Sequence, residues 1–328
     1  MGTGTSMDIN DTALLDAVEL LAAFAAKTLS PLQALQGVTE RIARKNPEIN
    51  AFSTLNPAAL VDARESTMRW HLGTARALEG VPVTVSDQAQ DAELVGLLRA
   101  AGAVILGKTT LFSSQATPLQ GITRNPWNVA HLAGSGAAAA ASGFFGPLHM
   151  RAGAPDELFV TAAWSGVVGF KACTTQGGIL ARTMQDVALL AAIVGQKQAD
   201  LKTPTEVAGL RLGVWQPEPC AALELAQALL TAQGVMIVEL AELTQAHTVD
   251  VLLCSVGCGA APLVAQADKT SLATPWPAHL AGASVGLTLP VGVDAQGLPM
   301  GVLLSAPAGQ DEAVVHLAQA LERCVNAA

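Results

Sequence analysis

Apolar and polar positions change rhythm along this chain in a way that separates helices from strands. In residues 11–28, Leu14, Leu15, Val18, Leu21 and Ala22 recur at helical spacing. Ser30-Pro31 then reads as an N-cap followed by Pro at the first helical position, which predicts a second helix to about Lys45, ending before Asn46-Pro47. A third helix is predicted over residues 57–71. From residue 80 the rhythm shortens. Residues 81–85 alternate as a strand, 94–101 are helical, 103–106 form a short buried strand, and 107–110 read as a turn leaving it. A small-residue turn at 133–136 opens a helix over 137–142, and residues 160–170 are apolar. A helix carries Asp186, Leu189, Leu190 and Val194. Strands at 209–214 and 235–240 flank a helix at 221–232. Strands at 286–292 and 300–304 and a helix at 312–325 close the chain. Strands alternating with helices predict an α/β fold.

Composition narrows the function classes. The 328 residues are 51% hydrophobic and only 14% charged, which excludes a disordered chain. A net charge of −9 and scattered Lys and Arg argue against nucleic-acid binding. The densest basic cluster, residues 41–45, reads as a solvated helix face. No apolar run is long enough to span a membrane. The five Cys are odd in number and no secretory leader is read, so a reduced, cytoplasmic protein is expected. Cys254 and Cys258 share a helical spacing, but without a second pair they read as buried small hydrophobes, and no metal or cofactor is expected. Residues 1–6 are small and polar, and Met7 reads as the original start.

Three stretches carry the candidate chemistry. The first is Gly80-Val81-Pro82-Val83-Thr84-Val85-Ser86-Asp87. The second is Gly102-Ala103-Val104-Ile105-Leu106-Gly107-Lys108-Thr109, followed by Asn125-Pro126-Trp127-Asn128 and Ala133-Gly134-Ser135-Gly136. The third is Ser165-Gly166-Val167-Val168-Gly169-Phe170-Lys171. In this order the set resembles the amidase-signature family of amide hydrolases. So do residues 181–186, 280–282, 289–292, 294–297 and 299–301.

The resemblance implies a mixed, twisted sheet covered by helices on both faces. It further implies one domain over 1–328, with a helical N-terminal layer (1–75), a signature core (76–200) and a C-terminal α/β part (201–328). It also implies a Ser-Ser-Lys triad. A Lys base takes a proton from a middle Ser held on a cis peptide, and that Ser relays to a nucleophilic Ser beside backbone oxyanion donors. The Lys position here is Ser86, next to a retained Asp87. The middle Ser is retained as Ser135. The nucleophile position falls on Glu157, in a stretch read as a loop (153–159). A hydroxyl at 86 offers no base, a carboxylate at 157 would give an anhydride uphill of an amide, and Pro155 has no N–H to donate to an oxyanion. Ser86, Ser135 and the Asp156-Glu157 turn are expected to lie near one another.

The leading expectation is therefore an amidase-like protein that has lost catalysis and acts by binding, as a partner subunit of an enzyme complex. The alternative is an amide or ester hydrolase remodelled around Ser135 with Glu157, Asp156 or His149. A third reading is an assembly subunit that forms a homo-oligomer through its N-terminal helices. His149 reads as a loop residue and Lys108 as a structural turn residue. Set against the family it resembles, the shortened stretches after Lys171 and between 243 and 254 imply an open, shallow or absent substrate pocket.

Overall fold

A computed structural model describes residues 11–86, 91–111, 121–152, 155–172, 177–194, 207–216, 218–256, 261–269 and 284–327. After a 3-10 turn at Asp11–Leu14, the chain runs through α1 (Ala17–Ala25), α2 (Pro31–Ile49), β1 (Phe52–Leu55) and α3 (Ala59–Leu72). Next come β2 (Pro82–Ser86), α4 (Asp91–Ala100), β3 (Val104–Thr109), α5 (Gly136–Ser142), β4 (Leu148–Ala152) and α6 (Pro155–Ser165). β5 (Val168–Lys171), β6 (Gly177–Ala181) and α7 (Met184–Ile193) follow. The last part is β7 (Arg211–Trp215), α8 (Ala221–Ala232), β8 (Met236–Glu239), β9 (Val251–Ser255), β10 (Ser284–Val293), β11 (Pro299–Pro307) and α9 (Asp311–Ala327).

Among the described residues, all eleven strands join one mixed sheet in the order β1-β3-β2-β4-β6-β5-β10-β11-β9-β7-β8. β2 is parallel to β3 and to β4, while β6 and β5 return antiparallel. The signature strands meet the C-terminal strands through the antiparallel β5–β10 pair. Alternation along each strand divides the apolar side chains between two faces. Ile179, Ala181, Val302 and Leu304 belong to the core built with α7, α8 and α9, whereas Leu180 and Leu303 belong to the one built with α5 and α6. This is the mixed sheet with helices on both faces that the resemblance implies.

α5 explains the alanine run. Residues 137 to 141 are at most 1% exposed, because small side chains let this helix lie close to its neighbours. At Gly136 the approach is so tight that a Cβ would meet the Ala51 carbonyl oxygen at 2.2 Å.

Five expectations are corrected. The stretch 1–75 is not purely helical, since β1 lies inside it and pairs antiparallel with β3 at the sheet edge. α2 does not stop before Asn46-Pro47. Pro47 sits in its last turn, and the helix ends on Asn50 in the left-handed conformation, whose N–H donates to the Asn46 carbonyl at 2.7 Å. Residues 107–109 continue β3 rather than turn out of it. His149 lies in a buried strand, not a loop. The supposed loop at 153–159 is helical from Pro155, where a ring at the first turn removes only an N–H that has no partner within the helix.

Candidate functional site

Ser86 is the last residue of β2 and is 1% exposed. It stands opposite Thr109 of β3, and on the other side its neighbour Val85 stands opposite Met150 of β4. Asp87 lies outside the described residues. Thr110, directly after β3, accepts a hydrogen bond from the Gly136 N–H at 2.9 Å, which ties this end of the sheet to the start of α5.

Ser135 is the N-cap of α5. Its backbone is extended and its Oγ accepts from the Ala138 N–H at 3.3 Å. The hydroxyl donates to Thr161 Oγ1 at 3.2 Å, and Thr161 in turn donates to the Glu157 carbonyl at 2.7 Å. This relay couples α5 to α6, and each hydroxyl polarises the next. Both Ser135 and Thr161 are fully buried. Gly134, at φ +82°, carries the chain into the cap, and a Cβ there would strike Thr161 Cγ2 at 2.5 Å. All peptide bonds among the described residues are trans, including those at Ser135, unlike the cis peptide that the resemblance implies.

Glu157 lies in the first turn of α6, and its carboxylate pairs with the Arg151 guanidinium of β4. Burial is unequal. The Arg151 side chain is 2% exposed and that of Glu157 is 32% exposed. Burial pushes the Arg151 pKa down to about 10, still high enough to keep the charge at neutral pH. Since Val85 faces Met150, Arg151 emerges beside the end of β2 that carries Ser86.

Ser86, Glu157 and Ser135 are thus connected through β4 on one side and through Thr109, Thr110 and Gly136 on the other. The Asp156 side chain lies outside the described residues.

His149 is not disposed as a base. Its Nε2 is 3.0 Å from the Gly146 carbonyl, which can only accept, so Nε2 carries the proton. Nδ1 then accepts from the Thr84 hydroxyl at 2.7 Å. Complete burial pushes its pKa down to about 3, so the ring is neutral. Lys108 is an exposed strand residue of β3. Among the described residues, no group of three or more His, Cys, Asp or Glu could hold a metal ion, and no helix is long and apolar enough to cross a membrane.

Two residues central to this corner escaped the sequence reading. Arg151 carried a signal, as a lone cation in a short run otherwise compatible with a buried strand. Thr161 carried none, because a threonine inside an apolar helix is commonplace.

A family model described as Amidase matches residues 87–149. The A subunit of the glutamyl-tRNA(Gln) amidotransferase of Mycobacterium avium is 31% identical, over 70% of this chain and 61% of the relative. The putative amidase AmiA2 of Mycobacterium tuberculosis is 30% identical, over 58% of this chain and 48% of the relative. The chain therefore spans less than two thirds of the curated relatives it matches. The peptide amidase of Stenotrophomonas maltophilia superposes with a TM-score of 0.78 at 20% identity, covering 97% of this chain and 98% of that one. A bacterial aryl acylamidase of the amidase-signature enzymes gives 0.81 at 16% identity, covering 94% and 96%. These likenesses establish the α/β amidase-signature fold, and with the family-model match they support the amidase-signature family for this chain.

Proposed function

We propose that this protein is an amidase-signature homologue that does not hydrolyse amides and acts by binding, as one component beside an active enzyme. The observation that carries the reading is the state of Ser135. Its hydroxyl is fully buried and shares its hydrogen bonds with Ala138 and Thr161. Neither partner is a base. A serine hydroxyl attacks only when a neighbouring group takes its proton. The cation of this corner, Arg151, is an arginine and stays protonated, so it cannot take that proton either.

The Arg151–Glu157 pair gives the corner a structural reason to exist without catalysis. A buried guanidinium needs a carboxylate, and Glu157 supplies it from the position the resemblance gives to the nucleophile. The role within a complex draws on the curated relatives, several of which are named as amidotransferase subunits. An assembly whose catalytic residues sit on another chain would explain why this one retains the fold.

The remodelled hydrolase predicts a different outcome of the same test. Treat the full chain with a serine-reactive fluorophosphonate and map adducts by mass spectrometry. The proposal expects Ser135 unlabelled under conditions that label an active serine amidase to completion. Stoichiometric labelling of Ser135 in the folded protein would overturn it.

A further inference from the structure

The N-terminal helices border a cavity whose residues the proposed function does not use. α2 presents Arg41, Lys45 and Glu48 at helical spacing to a cavity of about 360 Å³, within the range of small-ligand sites. The far wall is the turn bearing Trp127 and the end of α5 with Ser142 and Phe144.

Arg41 is held from two sides. Its Nε donates to the Gly143 carbonyl at 2.7 Å, and its guanidinium lies over the Phe144 ring at 5.1 Å. That fixes the plane of the fork and leaves its terminal amino groups for a ligand. A second cation, Arg182, lies over the same ring at 4.6 Å. The two differ in their counter-charges. Asp186, Asp16 and Glu19 offset the charge of Arg182, whereas the charges beside half-buried Arg41 are those of Arg44 and Arg182, both of the same sign as its own.

Ser142 Oγ, also on the cavity wall, is buried and has no hydrogen-bond partner among the described residues. A buried hydroxyl without a partner is costly unless something fills the role. Trp127 supplies a fixed apolar surface. Its indole N–H donates to the Ser165 carbonyl at 3.1 Å and its backbone N–H to Asn125 Oδ1 at 3.0 Å, yet the residue is 53% exposed.

We propose that this cavity binds a monocarboxylate with a flat apolar body, the carboxylate on Arg41, Lys45 and Ser142 and the body against Trp127. Two parallel N–H groups of a guanidinium match a carboxylate, and Ser142 adds a donor. Glu48 at the same rim disfavours a second negative charge, which selects a monoanion over a phosphate dianion. The carboxylate could belong to a free small acid or to the C-terminus of a peptide. The site stands apart from the β4–α6 corner, so its occupancy is independent of whether that corner hydrolyses anything.

Titration calorimetry on the full chain tests this with 3-phenylpropanoate, its neutral amide 3-phenylpropanamide, and acetyl-Gly-Gly-Phe with a free carboxylate. The acid is expected to bind saturably, and the amide at least about tenfold more weakly, as loss of a charge-assisted contact implies. Lys45→Met and Ser142→Ala should each weaken the acid by about threefold with no change in thermal midpoint, and Arg41→Met by more than about tenfold. Because Arg41 also anchors Gly143, the first two variants keep the test sound if the third misfolds. Tighter binding of either the peptide or the free acid supports the site and identifies its source. Equal binding of acid and amide, wild-type affinity in both Lys45→Met and Ser142→Ala, or no saturable binding up to about 10 mM would overturn the proposal.

Discussion

Two ion pairs flank β2, one just before the strand and one beside its far end, and they are built inside out relative to one another. Before the strand, the Glu79 carboxylate is fully buried and receives Arg76 at 2.6 Å and Arg69 at 3.4 Å, both arginines reaching in from the surface at 38% and 35% exposure. At the far end the guanidinium of Arg151 is the buried member, and Glu157 is the one that touches solvent. Burial raises the Glu79 pKa, but hydrogen bonds from Arg76 and Ser66 outweigh it and hold the carboxyl below its usual range. The Glu79 carbonyl also accepts the Trp70 indole N–H at 2.9 Å, so this pair fastens α3 to the entry of the strand. The other pair fastens β4 to α6, at the position from which the resemblance implies catalysis. The contrast teaches that removing the solvent-facing member of either pair should be the damaging change, because it takes an opposite charge away from a buried one.

The largest expected effect is therefore Glu157→Ala, which takes the Glu157 carboxylate away from the buried Arg151 charge and should cost up to about 3–5 kcal/mol in urea unfolding. Arg151→Met should cost clearly less, since Glu157 can hydrate, and adding Arg151→Met to Glu157→Ala should recover most of the loss. Equal costs for the two single variants would break the comparison. At the other end, the double variant Arg69→Met with Arg76→Met should destabilise more than Glu79→Gln, because it leaves the buried carboxylate without either guanidinium.

His149 sharpens the picture through pH. Its folded pKa lies near 3, below the unfolded value of 6.5, so its neutral form is favoured by folding. That contribution is fully present above pH 6.5 and is lost as the pH falls toward 3, at up to about 1.4 kcal/mol per pH unit. His149→Gln should flatten the fall in unfolding midpoint between pH 6.5 and 4. An unchanged slope would mean that other groups set the acid limit. The smallest effect is expected from Ser135→Ala, which removes a helix N-cap and should cost about 1 kcal/mol.

What the sequence made legible follows from how local its signals were. β7, α8 and β8 were readable to within a few residues, because apolar strands flank a helix with clear periodicity. Ser30 with Gln33 forms the expected cap, here a full capping box. β4 was hidden because two of its five residues, His149 and Arg151, are polar yet buried, so its polarity argued for a loop. β1 was hidden by its length of four residues at a sheet edge. α6 was misread although Pro155 followed by two acids is a helix-start pattern, because the motif comparison favoured a turn there. At the corner, the mapped positions 86, 135 and 157 were read from motif order. The partners that decide their chemistry, Thr161 and Arg151, come from other elements and could be placed only by the fold.

The central claim is best tested by measuring ammonia release from a panel of primary amides by the natural chain and by Ser135→Ala. The account predicts no turnover above background for either protein, with both folded. Turnover clearly above background in the natural chain that disappears in Ser135→Ala would contradict it and assign the reaction to Ser135.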